Sequence, residues 1–219
     1  MFIMFISISW AVGNCAVLSA RQPFSMSEQK SHQIVDKKTV WEGRFIRILL
    51  LEYRDDKGNV RQWETVERVN CDGIVAVIPI TKEGEILMIR QFRPALNSYV
   101  IEFPAGLNDK GESLVDAARR ELIEETGYTS ETFELLVEGP VSSGLSTEVL
   151  TVYLAREATP ASLLLRARHP IEETEDIEVI RTPLMSAYAT IEEFRGRGDA
   201  VDLKIYGFIE LARNRMNNL

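Results

Sequence analysis

Between Cys71 and Ile80 the chain reads CDGIVAVIPI, apolar at almost every position after Gly73. A strand with one wet face alternates apolar and polar residues. A strand that is apolar throughout has both faces buried, as in the middle of a layered α/β fold. Ile86 to Phe92 (ILMIRQF) repeats the signal after Lys82-Glu83-Gly84, so the two runs read as a hairpin. The 219 residues suffice for one substantial domain, and the 45% apolar fraction supplies its core.

Further strands are expected at Ser98–Phe103, ended by Pro104, at Phe133–Gly139, at Glu148–Ala155 and at Ile177–Thr182. Upstream, Trp41–Tyr53 and Arg61–Arg68 flank the turn signal Asp55-Asp56-Lys57-Gly58 and predict a separate hairpin. Helices are expected near Ser186–Arg195 and Val201–Arg213, divided by Gly196 to Gly198. Together these elements predict a mixed sheet with helices packed on it, preceded by a small antiparallel β lobe.

Met1 to Ala20 carries no charged side chain and is about as long as a membrane span. It lacks the basic start of a secretory signal. From Met26 the sequence turns polar (MSEQKSHQIVDKK). Residues 1–25 therefore read as an apolar leader or a mis-assigned start, outside the fold. Residues 26–70 read as the lobe and 71–219 as the main domain. The two cysteines, Cys15 and Cys71, form no CxxC pair, which excludes a disulfide framework or a zinc site of that kind. A net charge of −8 argues against general affinity for nucleic acid or for anionic membrane. The chain is thus expected in the cytoplasm, with no membrane partner unless the leader is retained.

The chemistry concentrates in Gly106–Tyr128, GLNDKGESLVDAARRELIEETGY. Ser113 with Asp116 resembles a capping box, and Gly127 suits the residue after a helix, so a helix is expected over Leu114–Thr126. Val115, Ala118 and Leu122 recur on one side and can pack against a sheet. Glu121, Glu124 and Glu125 share another face, where like charges repel. Many acidic helix faces are simply solvated. Here Arg119 or Arg120 would offset part of the repulsion, and an oxygen-seeking divalent cation would offset more.

Gly106, Glu112, Arg120, Glu121, Leu122, Glu124, Glu125 and Gly127 together resemble the Nudix box, with Tyr128 departing from its aliphatic preference. The resemblance implies a Nudix α/β/α sandwich. It also implies Mg2+- or Mn2+-dependent cleavage of a nucleoside diphosphate linked to another moiety. Glu121 and Glu125 would be metal ligands, with Glu124 assisting, Arg120 orienting the acids and Glu112 supporting the loop. Arg90-Gln91-Phe92-Arg93-Pro94 and Glu102-Phe103-Pro104-Ala105-Gly106 resemble the ADP-ribose and ADP-sugar pyrophosphatases. By that likeness the Ala105 carbonyl would reach the metal, and Arg93 and Glu102 would contact substrate.

Arg61 to Arg68 (RQWETVER) resembles the N-terminal lobe of the same subgroup, which exchanges this lobe across a homodimer. Trp63 and Phe45 would then sandwich the base, with Phe45 standing where relatives carry Trp; Glu64 and Arg68 would also contact the nucleotide. Ser143 to Glu148 (SGLSTE) matches a substrate loop in which Gly144, Leu145 and Glu148 would take part. Ser143 replaces the proline that marks ADP-ribose enzymes, so GDP-mannose or another nucleotide sugar is the alternative substrate. The acid-dense loop Pro170–Glu178 would carry the general base, Glu173 or Glu175, with Glu173 favoured. A non-catalytic nucleotide-sugar sensor is the alternative of another class, and the intact acid cluster speaks against it.

Overall fold

The computed structural model describes residues 32–108, 111–171 and 176–217. Strands β1 (Gln33–Glu42), β2 (Ile46–Arg54) and β3 (Val60–Arg68) form a three-stranded antiparallel sheet before the rest of the chain. The expected single strand over Trp41–Tyr53 is broken. The backbone N–H of Gly43 donates to the Ile46 carbonyl at 2.9 Å and closes a tight turn between β1 and β2. The turn falls on Glu42-Gly43-Arg44, a polar break only three residues long between Trp41 and Phe45. The second turn forms as expected. The Asp55 carboxylate accepts the N–H groups of Lys57 at 3.0 Å and Asn59 at 2.8 Å, setting Leu51 opposite Trp63.

The main sheet begins with the predicted hairpin of β4 (Ile74–Thr81) and β5 (Glu85–Arg93). The two pair at Ile80 and Ile86, beside the turn, and then diverge. β5 pairs with β6 (Ser98–Glu102), and β4 with β7 (Ala105–Leu107). Helix α1 (Leu114–Thr126) follows, then β8 (Tyr128–Thr129), β9 (Thr132–Pro140) and β10 (Val149–Pro160). β10 runs parallel to β4 and antiparallel to β9. After the short helix α2 (Leu163–Arg168), β11 (Ile177–Pro183) returns along the other side of β5. Helix α3 (Ala187–Gly196), strand β12 (Ala200–Val201) and helix α4 (Lys204–Asn217) close the chain. The expected last helix starts later than Val201, because Ala200 and Val201 pair with Val100 and Ile101 of β6.

β4 shows why the layers form. Val75 and Val77 point to one side and pack with Ala117, Ala118 and Leu122 of α1. Ala76, Ile78 and Ile80 point to the other and meet Ile191 of α3 and Ile205 and Ile209 of α4. The period-two backbone thus splits a continuous apolar run into two cores, with helices on both faces. Leu122 is fully buried, worth about 1.5–3 kcal/mol of transfer free energy. Val115 packs against the same cluster while only half-buried. Among the described residues, no helix is long and apolar enough to cross a membrane.

Candidate active site

α1 is placed by its two ends. The Ser113 hydroxyl accepts the N–H of Asp116 at 3.2 Å and donates to the Asp116 carboxylate at 2.6 Å. The N–H of Gly127, which takes the left-handed conformation (φ 69°), bonds the Ile123 carbonyl at 2.8 Å. Packing of Ala118 and Leu122 on β4 then turns Glu121 and Glu125 toward β7. Both are buried, at 8% and 3% exposure, which is costly for carboxylates unless they are paired.

Their pairing is specific. One Glu125 oxygen accepts the Ala105 N–H at 2.8 Å. Glu121 lies directly on Gly106, where a Cβ would stand 1.9 Å from its Oε1. A glycine is therefore required at 106 by close approach. Arg120 spans the cluster. Its guanidinium donates to Glu121 at 2.7 Å, to Glu124 at 2.9 Å and to the Leu107 carbonyl at 2.8 Å, and grips Glu112 through two nitrogens at 3.2 and 3.1 Å. Burial works against this charge. The hydrogen bond to Glu112 and the attraction of Glu121 and Glu124 outweigh that cost and hold the Arg120 proton well above the usual arginine range.

The cluster opens into a cleft of about 580 Å³. Ala105, Arg120, Glu121 and Glu124 lie on its lining. So do Arg93 and Glu102, joined at 2.7 Å, and Arg68 and Glu148, also joined at 2.7 Å. Phe45 belongs to the lining, 60% exposed, with the Arg44 guanidinium 4.9 Å from its ring centre. Glu125 sits behind this surface, on Ala105.

The remaining expected contacts lie elsewhere. Trp63 is half-exposed, outside the cleft lining, and its indole N–H donates to the Gly144 carbonyl at 3.2 Å. Glu64 is exposed on β3, opposite Leu50. The Leu145 carbonyl accepts the Val66 N–H at 2.8 Å and the Thr65 hydroxyl at 2.9 Å. Gly144 and Leu145 therefore serve to stitch their loop to the lobe. Glu173 and Glu175 fall outside the described residues. Asp176, next in the chain, accepts a 2.5 Å hydrogen bond from the Tyr99 hydroxyl, so the end of that loop is tied to β6.

Several residues of the site escaped the sequence reading. Asp202, Lys204 and Phe208 bring α4 and its approach into the cleft wall. His169 places Nδ1 3.8 Å from Glu124 Oε1. The signal for α4 was available, since an Asp ahead of a helix is a cap candidate, but nothing local says which cleft it borders.

Among the described residues, no three acids, histidines or cysteines are gathered as a ready-made metal cage. The donor set nonetheless suits a hard cation. Glu121, Glu124 and Glu125 supply carboxylate oxygens beside a backbone carbonyl at Ala105, the ligand chemistry of Mg2+ and Mn2+. The glycine cradle under Glu121 reserves room for one of these carboxylates.

The signature of the NUDIX domain family matches residues 72–197. The chain is 32% identical over 158 residues to an ADP-ribose pyrophosphatase of Bacillus subtilis, across 72% of this chain and 82% of that one. It is 32% identical over 194 residues to the ADP-sugar pyrophosphatase of Mus musculus, across 83% of this chain and 88% of that one. A crystal structure of an ADP compounds hydrolase superposes with a TM-score of 0.69 at 23% identity, covering 85% of this chain and 95% of that one; the likeness is one of fold.

Proposed function

Because the chain belongs to the Nudix hydrolase family, we propose that it hydrolyses the diphosphate bond of ADP-ribose or a related ADP-sugar, giving AMP and a sugar phosphate. The observation that carries this reading is the cleft itself. It joins the acids of α1 to an aromatic and an arginine of the lobe, Phe45 and Arg68, in one continuous surface. The names of the relatives from Bacillus subtilis and Mus musculus agree with it.

Glu121, Glu125 and Glu124, with the Ala105 carbonyl, would hold Mg2+ or Mn2+. The cation would supply neutralisation of the diphosphate charge and a more acidic water near neutral pH. The protein's own residues do the rest. Arg120 holds the acids together and oriented. Arg68 and Arg93 present charged donors to the nucleotide from the two sides of the cleft, each already steadied by a carboxylate. Glu173 or Glu175 is the proposed base, worth about 10²–10⁴ in rate.

The base platform calls for a second copy of the chain. The Val69 N–H bonds the Phe45 carbonyl at 3.0 Å, so Phe45 sits at the Arg68 end of β3. Trp63 is five residues back along that strand, about 17 Å at the usual rise. Two rings enclosing a base stand roughly 7 Å apart, two van der Waals contacts. Trp63 from a second copy, bringing its lobe across, would complete the sandwich, which supports the reading of a homodimer with exchanged lobes. Sedimentation at working concentration should give a dimer, and Trp63→Ala should raise KM for the substrate. A fully active monomer would remove the exchanged-lobe arrangement.

The substrate is tested by comparing kcat/KM for ADP-ribose, ADP-glucose, GDP-mannose and UDP-glucose with Mg2+, scored by mononucleotide release. ADP-sugars are expected to lead. GDP-mannose preferred over ADP-ribose by about tenfold, 1.4 kcal/mol of discrimination, would replace the adenine reading. Turnover of none would leave a nucleotide-sugar sensor.

A further inference from the structure

The cleft has two walls of different origin. On one side Arg68 and Glu148 stand beside the lobe and the start of β10. On the other, Asp202 and Lys204 stand at the start of α4, beside β6 and the Arg93–Glu102 pair. Between them lie Ala105 and the acids of α1. A substrate with its base at Phe45 and its diphosphate over the acids must therefore send its distal group toward α4.

The group waiting there is unlike the other cations of the cleft. Arg68 and Arg93 each donate through Nε to one carboxylate, and the Arg120 guanidinium spans three. Lys204 is a flexible ammonium with its side chain 44% exposed, and its Nζ is 2.6 Å from Asp202 Oδ2. Asp202 is itself rigid. Its N–H bonds the Ile101 carbonyl at 3.0 Å, and its other carboxylate oxygen caps α4 by accepting the Lys204 N–H at 2.9 Å. An ammonium has three donors and a carboxylate about four lone-pair sites, so each retains capacity after meeting the other. The result is an acceptor and a charged donor side by side, held by a β-strand contact and a helix cap, at the edge of the cleft. That is the complement of a vicinal diol, whose hydroxyls each donate and accept.

We propose that Asp202 and Lys204 recognise the hydroxyls of the distal sugar and so favour ADP-sugars over ADP compounds that lack one. The proposal rests on the ADP-sugar reading of the cleft. It assigns the pair no part in bond breaking, since the acids that would hold the cation lie on α1 and not on α4. A hydrogen-bonding site discriminates against a substrate lacking the matching hydroxyl, because that substrate forgoes the bonds the pair still has capacity to make.

The test compares Lys204→Met and Lys204→Arg with the unsubstituted protein on ADP-ribose, ADP-glucose and the methyl ester of ADP, which keeps the adenosine and diphosphate but has no distal sugar. Lys204→Met is expected to raise KM for the two sugars about 10- to 100-fold, as loss of a charge-assisted hydrogen bond does, with kcat and the methyl ester KM within about threefold. Lys204→Arg, which keeps a charged donor, should recover most of that loss, and melting temperatures should match. Equal loss on all three substrates would make Lys204 a phosphate contact and overturn the proposal. No change on any, with the unsubstituted protein active, would overturn it alone. Failure of the unsubstituted protein to cleave any ADP compound would overturn the proposed function and this inference with it.

Discussion

Arg120 is the hinge of the site's electrostatics, and replacing it with Met gives a worked expectation. The substitution keeps much of the apolar stem and removes the charge. Three carboxylates lose their shared cation, at 2.7 to 3.2 Å, and the Leu107 carbonyl loses a donor. Breaking a well-buried pair by removing one partner costs about 3–5 kcal/mol. The Arg120 side chain is 20% exposed and its acids 11–20%, so water offsets part of that. About 2–4 kcal/mol remains, since solvent screening weakens such pairs. For a chain of this size each kcal/mol moves the melting temperature by about 2–4 °C, giving a fall of roughly 5–15 °C. The assay is calorimetric unfolding in EDTA and again in excess Mg2+. A divalent cation held by these acids in the folded state would stabilise it by mass action. It should raise the melting temperature of Arg120→Met by more than that of the unsubstituted protein, because it now faces uncompensated acids. A variant that melts within about 2 °C of the unsubstituted protein in EDTA, below the shift expected for even one kcal/mol, would refute the claim that Arg120 holds these acids together.

The close approach at Gly106 predicts that Gly106→Ala displaces the Glu121 carboxylate; kcat/KM should fall about 10²-fold, as for a misplacement near 1 Å, and an unchanged rate would contradict the cradle. Hydrogen bonding by the Asn59 side chain, opposed by burial and helped by the N–H groups of Asn59 and Lys57 and by Arg61, holds the Asp55 carboxyl down from its ordinary 3.8 to about 2. A carboxyl lowered on folding adds stability above its unfolded value and loses it as pH falls through the folded one. The turn between β2 and β3 should therefore weaken between about pH 4 and pH 2, and Asp55→Asn should flatten stability against pH in that window. An Asp55 titration by NMR with a midpoint near the ordinary value would contradict this. One of Glu173→Gln and Glu175→Gln should lower kcat by at least about tenfold; if neither does, the acid loop does not supply the base.

Much of the site was legible because its residues are local in sequence. The box from Gly106 to Gly127 fixes a cap, a helix and a C-terminal glycine within one turn-and-helix unit, and each formed. The CDGIVAVIPI run likewise announced a strand buried on both faces, and β4 is the divider between the two cores. What stayed hidden depends on distance or on subtle turns. The break at Gly43 rests on one glycine in Glu42-Gly43-Arg44, too short a polar stretch to stand out between Trp41 and Phe45. Asp202 and Lys204 fall at the start of the expected last helix, and only the pairing of β12 with β6 brings them to the cleft. Phe45 and Trp63 read as one aromatic pair, yet the register of β2 and β3 sets them at different places along the lobe. Gly144 and Leu145 matched a substrate loop by pattern, while their carbonyls are engaged with β3.

The central claim is that the acids of α1 and the cleft beside them cleave the diphosphate of an ADP-sugar with a divalent cation. The most direct measurement follows ADP-ribose with the unsubstituted protein and with Glu121→Gln, in Mg2+ and in EDTA, resolving products by mass. The account predicts AMP and ribose 5-phosphate in equal amounts from the unsubstituted protein in Mg2+. It predicts near-complete loss in EDTA and in the variant. Undiminished cleavage by Glu121→Gln in Mg2+, or cleavage that persists in EDTA, would contradict it.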